Sequence, residues 1–285
     1  MRLAPWIAAL VLAGCKPPPS DVLAAIQARD NAELAELLDR GGDPNAVGSF
    51  QLASGTYGLT ALTAAIQTDN AVALALLLGD HADPNLRDPS MMGSPGDLPL
   101  DTAARGNHVA AIYPLILHGA RLDGDGGRDE TPASLAANGG HVEALAALLA
   151  AGAKLEGTGE DGTGYPPLAM AAEAGCVACV QHLLAAGARV DHHDILGITP
   201  LHYAVIKNNL AIVDLLLAAK ANPMAANRAG MTPATAAQYR DAAPIMERFR
   251  KLGVTDFGLQ VPPAFPPSGM GTIRVPVVEV QAGGR

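Results

Sequence analysis

Cys176 and Cys179 stand three residues apart in "GCVACVQHLL" (175–184), with His182 close behind. Two thiolates and an imidazole at this spacing could hold a metal ion or form a dithiol–disulfide couple. A second group, His192-His193-Asp194, has the residue types of a ligand cluster. Neither group is complete. A metal site takes about four protein ligands, or three and a water, and the chain's three cysteines leave no second pair. Adjacent side chains in a loop seldom converge on one ion without partners elsewhere, so 192–194 reads as loop surface. "GTGEDGTG" (157–164) is glycine-rich but follows no strand, which argues against a phosphate loop. No nucleophile elbow or paired acids in a recognisable setting appear. No catalytic residue, cofactor or metal is expected, and no enzyme activity.

The third cysteine, Cys15, ends "MRLAPWIAALVLAGC". One positive charge, Arg2, precedes an apolar run too short for a bilayer span, which needs about 20 residues. This is the layout of a secretory signal. Leu12-Ala13-Gly14-Cys15 resembles the lipobox of bacterial lipoproteins, in which a peptidase cuts before the cysteine and lipid is attached to it. The resemblance implies a signal peptide over 1–14 and lipidation at Cys15. It also implies a bacterial envelope location, and Lys16 in place of Asp points to the outer membrane. Two or more acyl chains hold a protein stably on a membrane, where one does not. The prolines of "CKPPP" (15–19) make a short stiff tether. Loss of 1–14 removes Arg2 and no acid, taking the formal charge from −9 to −10. That balance offers no basic footprint for nucleic acid.

The elements that must position these residues come from a repeat. Hydrophobic residues form 49% of the chain but aromatics only 4%. A core built largely of alanine favours closely packed helices. One landmark runs Ser20, Thr60, Leu98, Thr131, Pro166, Thr199 and Thr232. A second runs Gly41, His81, Gly119, Gly152, Gly187, Lys220 and Gly253, always 21 residues after the first. A spacing that stays fixed while the connections vary marks a structural unit. Thr199-Pro200, Thr131-Pro132 and Thr232-Pro233 supply an N-cap and a proline suited to the first helical position. The closing glycine fits a left-handed turn. His81 and Lys220 lack that freedom, so units two and six are expected to close less comfortably.

"GITPLHYAVIKNNLAIVDLLLAAKANP" (197–223) resembles the ankyrin repeat, with that family's Thr-Pro-Leu-His at Thr199 to His202. The resemblance covers about 20–254 and implies an all-α solenoid of about seven helix-turn-helix units with projecting finger loops. Units one and seven read as caps. Three connections are longer than the rest, at 47–58, 86–97 and 154–165, and fall where the family has its fingers. The tail, 255–285, is Pro- and Gly-rich, and Pro276 limits "TIRVPVVEVQ" to an edge strand at most.

This register bears on the cysteines. Cys176 falls at the polar start of a second helix, where other units have Asp30, Asn70, His108, His141, Asn209 and Ala242. Cys179 falls where most units are apolar, so packing is the favoured reading. An oxidised or redox pair at Cys176 and Cys179 and a metal ligand pair stand as alternatives. Ankyrin arrays bind proteins through finger tips and the inner face of the first helices. The resemblance therefore implies a binding module for a protein partner in the cell envelope, with an inhibitor or immunity protein as its sharper form. The alternative is a thiol redox protein. Carried over position by position, the family's contact positions are Tyr57, Leu59, Glu160, Tyr165, His193, Ile195, Ile198, Lys207, Arg228 and Met231. Met91 and Met92 join them in an inserted finger. His202 is expected to be structural, tying neighbouring turns.

Overall fold

The computed structural model describes residues 16–89, 96–124, 130–157 and 164–258. Seven helix pairs lie within them. Unit one is α1 (Pro19–Ala28) and α2 (Asn31–Asp39), followed by strands β1 (Val47–Leu52) and β2 (Gly55–Thr60). Unit two is α3 (Ala61–Gln67) and α4 (Ala71–Gly79), and unit three is α5 (Pro99–Arg105) and α6 (Val109–Leu117). Unit four is α7 (Pro132–Asn138) and α8 (Val142–Ala150), and unit five is α9 (Pro167–Ala174) and α10 (Val177–Ala185). Units six and seven are α11 (Pro200–Ile206) with α12 (Leu210–Ala218), and α13 (Pro233–Tyr239) with α14 (Ala243–Lys251). First helices pack on first helices and second helices on second helices, giving two layers. Between them Ala64, Ala103, Ala136, Ala171 and Ala204 are wholly buried. Small side chains let the helices approach, and each unit's apolar face is covered only by its neighbours.

Local chemistry sets the ends of each helix. Thr131 Oγ1 accepts from the Ser134 N–H at 3.0 Å, while Ser134 Oγ accepts from the Thr131 N–H at 2.8 Å. Thr232 and Thr235 form the same reciprocal pair. At Thr199 the ring of His202 takes this part, Nδ1 accepting from the Thr199 N–H at 3.1 Å. Its Nε2 lies 3.0 Å from the Met231 carbonyl of the next unit, to which it donates. Burial holds this imidazole below its ordinary pKa, partly opposed by the Met231 bond. The neutral ring is the form that can accept at one nitrogen and donate at the other.

Every helix pair turns through one left-handed residue: Arg29, Asp69, Asn107, Gly140, Gly175, Asn208 or Asp241. Asp and Asn tolerate that conformation better than other side chains. The next residue caps the second helix. Asp30, Asn70 and Asn209 accept from the backbone N–H three residues on. Several of these caps also reach the preceding unit. Asn70 Nδ2 donates to Asn31 Oδ1 at 2.8 Å, His108 Nδ1 pairs with Asp69 Oδ1 at 2.6 Å, and His141 Nε2 donates to the Arg105 carbonyl at 2.9 Å.

A second ladder runs along the opposite edge. Asn45, Asn85, Asp123, Glu156 and Asp191 each accept, through the side chain, from a backbone N–H of the following unit. The donors are Asp83, Arg121, Lys154, Arg189 and Asn222. Donor and acceptor keep constant places in all five pairs, so neighbouring units are pinned at both edges.

His81 (φ 64°) and Lys220 (φ 69°) do close their units left-handed, as Gly41, Gly119, Gly152, Gly187 and Gly253 do. A side chain in that conformation costs about 1–2 kcal/mol. His81→Gly and Lys220→Gly are each expected to stabilise the protein by about 0.5–1 kcal/mol, since glycine's own entropy cost offsets part of the relief. Paired chemical denaturation curves of wild type and variant measure this.

One element departs from an all-helical reading. The first long connection is an antiparallel hairpin, with Phe50 opposite Tyr57 and a two-residue loop, Ala53-Ser54. It lies against α1: the Gln51 N–H donates to Gln27 Oε1 at 3.0 Å, and a Cβ on Gly48 would meet Leu23 Cδ1 at 2.9 Å. Phe50 is its buried anchor.

Candidate functional site

The finger of unit five is built around Asp194. Its carboxylate is buried, only 1% exposed. Oδ1 accepts from the N–H groups of Leu196 (2.8 Å) and Ile198 (2.9 Å), and Oδ2 accepts from the Tyr203 hydroxyl at 2.7 Å. The short loop is thereby folded around one anion and fastened to α11. Burial and the facing Asp194 carboxylate push the Tyr203 phenol well above its ordinary value, with Glu173 and Tyr165 adding to the shift. These side chains are thus near neighbours at the start of the inner face. The Leu196 carbonyl accepts from the Arg228 N–H at 3.0 Å, joining this finger to the next. Asn227 Oδ1 holds that next finger, accepting from the N–H groups of Ala229 (2.9 Å) and Met231 (3.0 Å).

This arrangement sorts the expected contact residues. Tyr165, Ile195 and Ile198 are half-buried and His193 and Arg228 exposed. They belong to the coupled fingers or, for Tyr165, to the tyrosine pair beneath them. Lys207 is exposed but follows the last residue of α11, at the far end of the inner face from the fingers. Tyr57 is half-buried on β2, its hydroxyl donating to the Ser54 carbonyl at 3.3 Å. It lies three units from Tyr165, about 30 Å at a usual 10 Å per packed helix.

Leu59 and Met231 are corrected by the structure. Both are buried, at 6% and 5% exposure. Each immediately precedes a capping threonine, where its side chain turns into the junction between units and not outward. Met91, Met92 and Glu160 lie outside the described residues, as do Cys15 and the tail beyond 258. The loop reading of 192–194 also changes. Only His193 is exposed, while His192 and Asp194 are buried. His192 lies against Arg189 at 2.8 Å and Glu156 at 3.5 Å.

Cys176 caps α10, its sulfur accepting from the Cys179 N–H at 3.2 Å. The two cysteines form a disulfide. Cys179 is wholly buried, whereas Cys176 is half-buried. Among the described residues no group of three or more His, Cys, Asp and Glu is placed to hold a metal.

Residue types alone did not single out Tyr203 beneath the finger, nor Leu196 and Met224, exposed apolar residues at 42% and 44%. An apolar residue inside a glycine-containing loop, as in "DILGIT" (194–199), is the signal that could have found Leu196.

Near the other end, Asp88 closes the base of the second long finger. Its Oδ1 accepts from the Thr60 N–H at 2.7 Å. Burial raises its pKa from 3.8 to about 6, opposed by hydrogen bonds from Thr60 and Thr63 and reinforced by Asp97. The folded state therefore holds this proton more tightly than the unfolded chain does. That stability is complete below pH ~4 and lost as pH rises through about 6. Relative to Asp88→Asn, wild type is expected to lose about 1–2 kcal/mol between pH 4.5 and 7.5. Denaturation midpoints of the two proteins at both pH values give the difference.

Models of ankyrin repeats match residues 100–194 and 171–250, and a further single-repeat model matches 57–89. The chain belongs to the ankyrin-repeat family. The crystal structure of the human ASB11 ankyrin repeat domain is similar, at 25% identity and a TM-score of 0.61. The match covers 75% of this chain and 89% of that one. Among curated proteins, none matches the chain. Ankyrin repeats point to a protein–protein interaction module. Among the described residues, the paired fingers of units five and six offer shaped, exposed side chains.

Proposed function

We propose that this ankyrin array is tethered to the bacterial envelope by lipid on Cys15. There it captures a protein partner through the fingers and inner face of units five to seven. The carrying observation is the finger pair held by Asp194 and by the Leu196–Arg228 bond. It presents Leu196, Met224 and Arg228 from a loop already ordered without a partner. Preordering reduces the entropy cost of association, and apolar and arginine side chains are favoured anchors. The partner chemistry that fits is an apolar patch with an acidic rim to meet Arg228 and Lys207. An inhibitor or immunity role is the sharper form. Among the described residues no helix is long and apolar enough to cross a membrane, so lipid is the attachment this reading requires.

The test is affinity capture from detergent-solubilised envelope with residues 16–285, followed by mass spectrometry. Wild type is expected to retain a partner that Tyr165→Ala combined with Lys207→Glu and Arg228→Glu loses by at least about tenfold, the equivalent of 1.4 kcal/mol. Circular dichroism should show unchanged helix content. Equal capture by both proteins would put the binding face elsewhere. Fatty-acid labelling with and without Cys15→Ala tests the anchor separately.

A second reading, a thiol-exchange protein, draws on the Cys176–Cys179 disulfide, with the outer sulfur half-buried and the inner one enclosed. A defined reduction potential and rapid exchange with glutathione in the folded state would favour it. Reduction only on unfolding would leave the disulfide a local staple of the α10 cap.

A further inference from the structure

The outer layer has one region unlike the rest. α4 and α6 contain no charged residue, and apart from the Tyr113 hydroxyl everything they expose is apolar. Val109, Tyr113 and Leu117 recur every four residues as one ridge, Tyr113 at 65% and Leu117 at 64% exposure. Val72 on α4 stands exposed beside them, with Ala75 and Gly79 forming a flat margin. The neighbouring helices return to ordinary surface. α2 exposes Glu33, Glu36 and Asp39, and α8 exposes Glu143. Single exposed apolar residues need no explanation, but a contiguous uncharged face across two helices does.

The chain preceding the array says what covers it. α1 begins at Pro19, four residues after Cys15. Four residues of proline-rich chain reach about 12 Å. α1 belongs to the inner layer, and one helix layer is about 10 Å thick. Because each second helix runs back antiparallel to its first, the start of α1 and the ends of α4 and α6 lie along the same edge. A lipid held at Cys15 therefore brings the outer layer of the first units down onto the bilayer.

We propose that the exposed face of α4 and α6 is a membrane-docking surface, with Tyr113 and Leu117 entering the boundary between headgroups and acyl chains. This rests on the lipid-anchor reading of Cys15. Tyrosine is favoured at that depth. The ridge is too small to hold the protein alone. Tethering makes its contact intramolecular, so weak intrinsic affinity suffices. The acidic face of α2 alongside selects zwitterionic over anionic lipid. Docked this way, the inner layer and its fingers face away from the bilayer.

The chain offers its own spectroscopic test. Its one tryptophan is Trp6, within the segment that the lipid-anchor reading removes, so on that reading Tyr113→Trp gives the mature lipoprotein a single reporter. The purified lipidated protein is reconstituted in phosphatidylcholine vesicles with brominated acyl chains, and Tyr239→Trp on the inner face is the control. Quenching of Tyr113→Trp by about half, abolished by adding Leu117→Glu and weakened by phosphatidylglycerol, is the expected result, with Tyr239→Trp unquenched. A protein that floats with the vesicles while Tyr113→Trp stays unquenched overturns the docking face and leaves the anchor intact. A protein that incorporates no fatty acid and does not float overturns the anchor first, and the docking face falls with it. A concentration-dependent emission shift without vesicles would assign the face to contact between copies and overturn the proposal.

Discussion

Asp194→Ala is expected to destabilise the protein by about 3 kcal/mol, because three hydrogen bonds to one buried carboxylate vanish together. The donors left behind are the N–H groups of Leu196 and Ile198 and the Tyr203 hydroxyl. The loss should concentrate in units five to seven, with amide exchange at Leu196 and Ile198 accelerating far more than in α3 or α4. Tyr203→Phe removes one of the three bonds and should cost about 1 kcal/mol. Comparable destabilisation by both substitutions would mean that Asp194 does not organise the loop. Partner capture by Asp194→Ala should fall even though no proposed contact residue has changed.

The second large effect is at Phe50. Truncating a buried phenylalanine costs about 3–5 kcal/mol. In Phe50→Ala the hairpin loses its only buried side chain between Val47 and Leu52. The expected outcome is release of the hairpin from α1. Stability in a stacked array is a sum of unit and interface terms, so unit one should fray while units four to seven persist. Hydrogen exchange at 19–39 and 47–60 reads the fraying, and protection retained in α11 and α12 shows its limit. Uniform loss of protection along the chain would contradict this view of the hairpin as a local cover.

What could be read from residue types was whatever depends on position within one unit. Thr131, Thr199 and Thr232 announced their helix starts because capping is a contact between residues three apart. His81 and Lys220 marked left-handed closures by occupying a glycine's place. Cys176 and Cys179 fell into place as a cap and a core residue for the same reason. Contacts between units were less visible. β1 shows no clear alternation, and only its packing on α1 tells Phe50 from Leu52 as the buried residue. Leu59 and Met231 were misjudged because a position on the finger edge does not say whether a side chain points out or into the junction. The buried state of Asp194 was hidden by two adjacent histidines, which made a structural anchor look like part of a loop surface. The apolar face of α4 and α6 shows only once the two layers reveal which residues face out.

The two ladders that pin successive units also determine where this chain can change length. Both lie within the stretch from one unit's interhelical turn to the start of its finger. The long connections at 47–58 and 86–97 leave each chain segment after its ladder residue, Asn45 or Asn85, and rejoin it before the next helix cap. Adding residues there costs only loop entropy, about 0.6 kcal/mol per doubling. One residue added between Arg29 and Asn45 would rotate a helix by about 100° and mismatch the rungs beyond it. The molecule is thus open to insertion at one edge and closed to it everywhere else along the unit. New loops can be grafted at that edge without redesigning the stack beneath them.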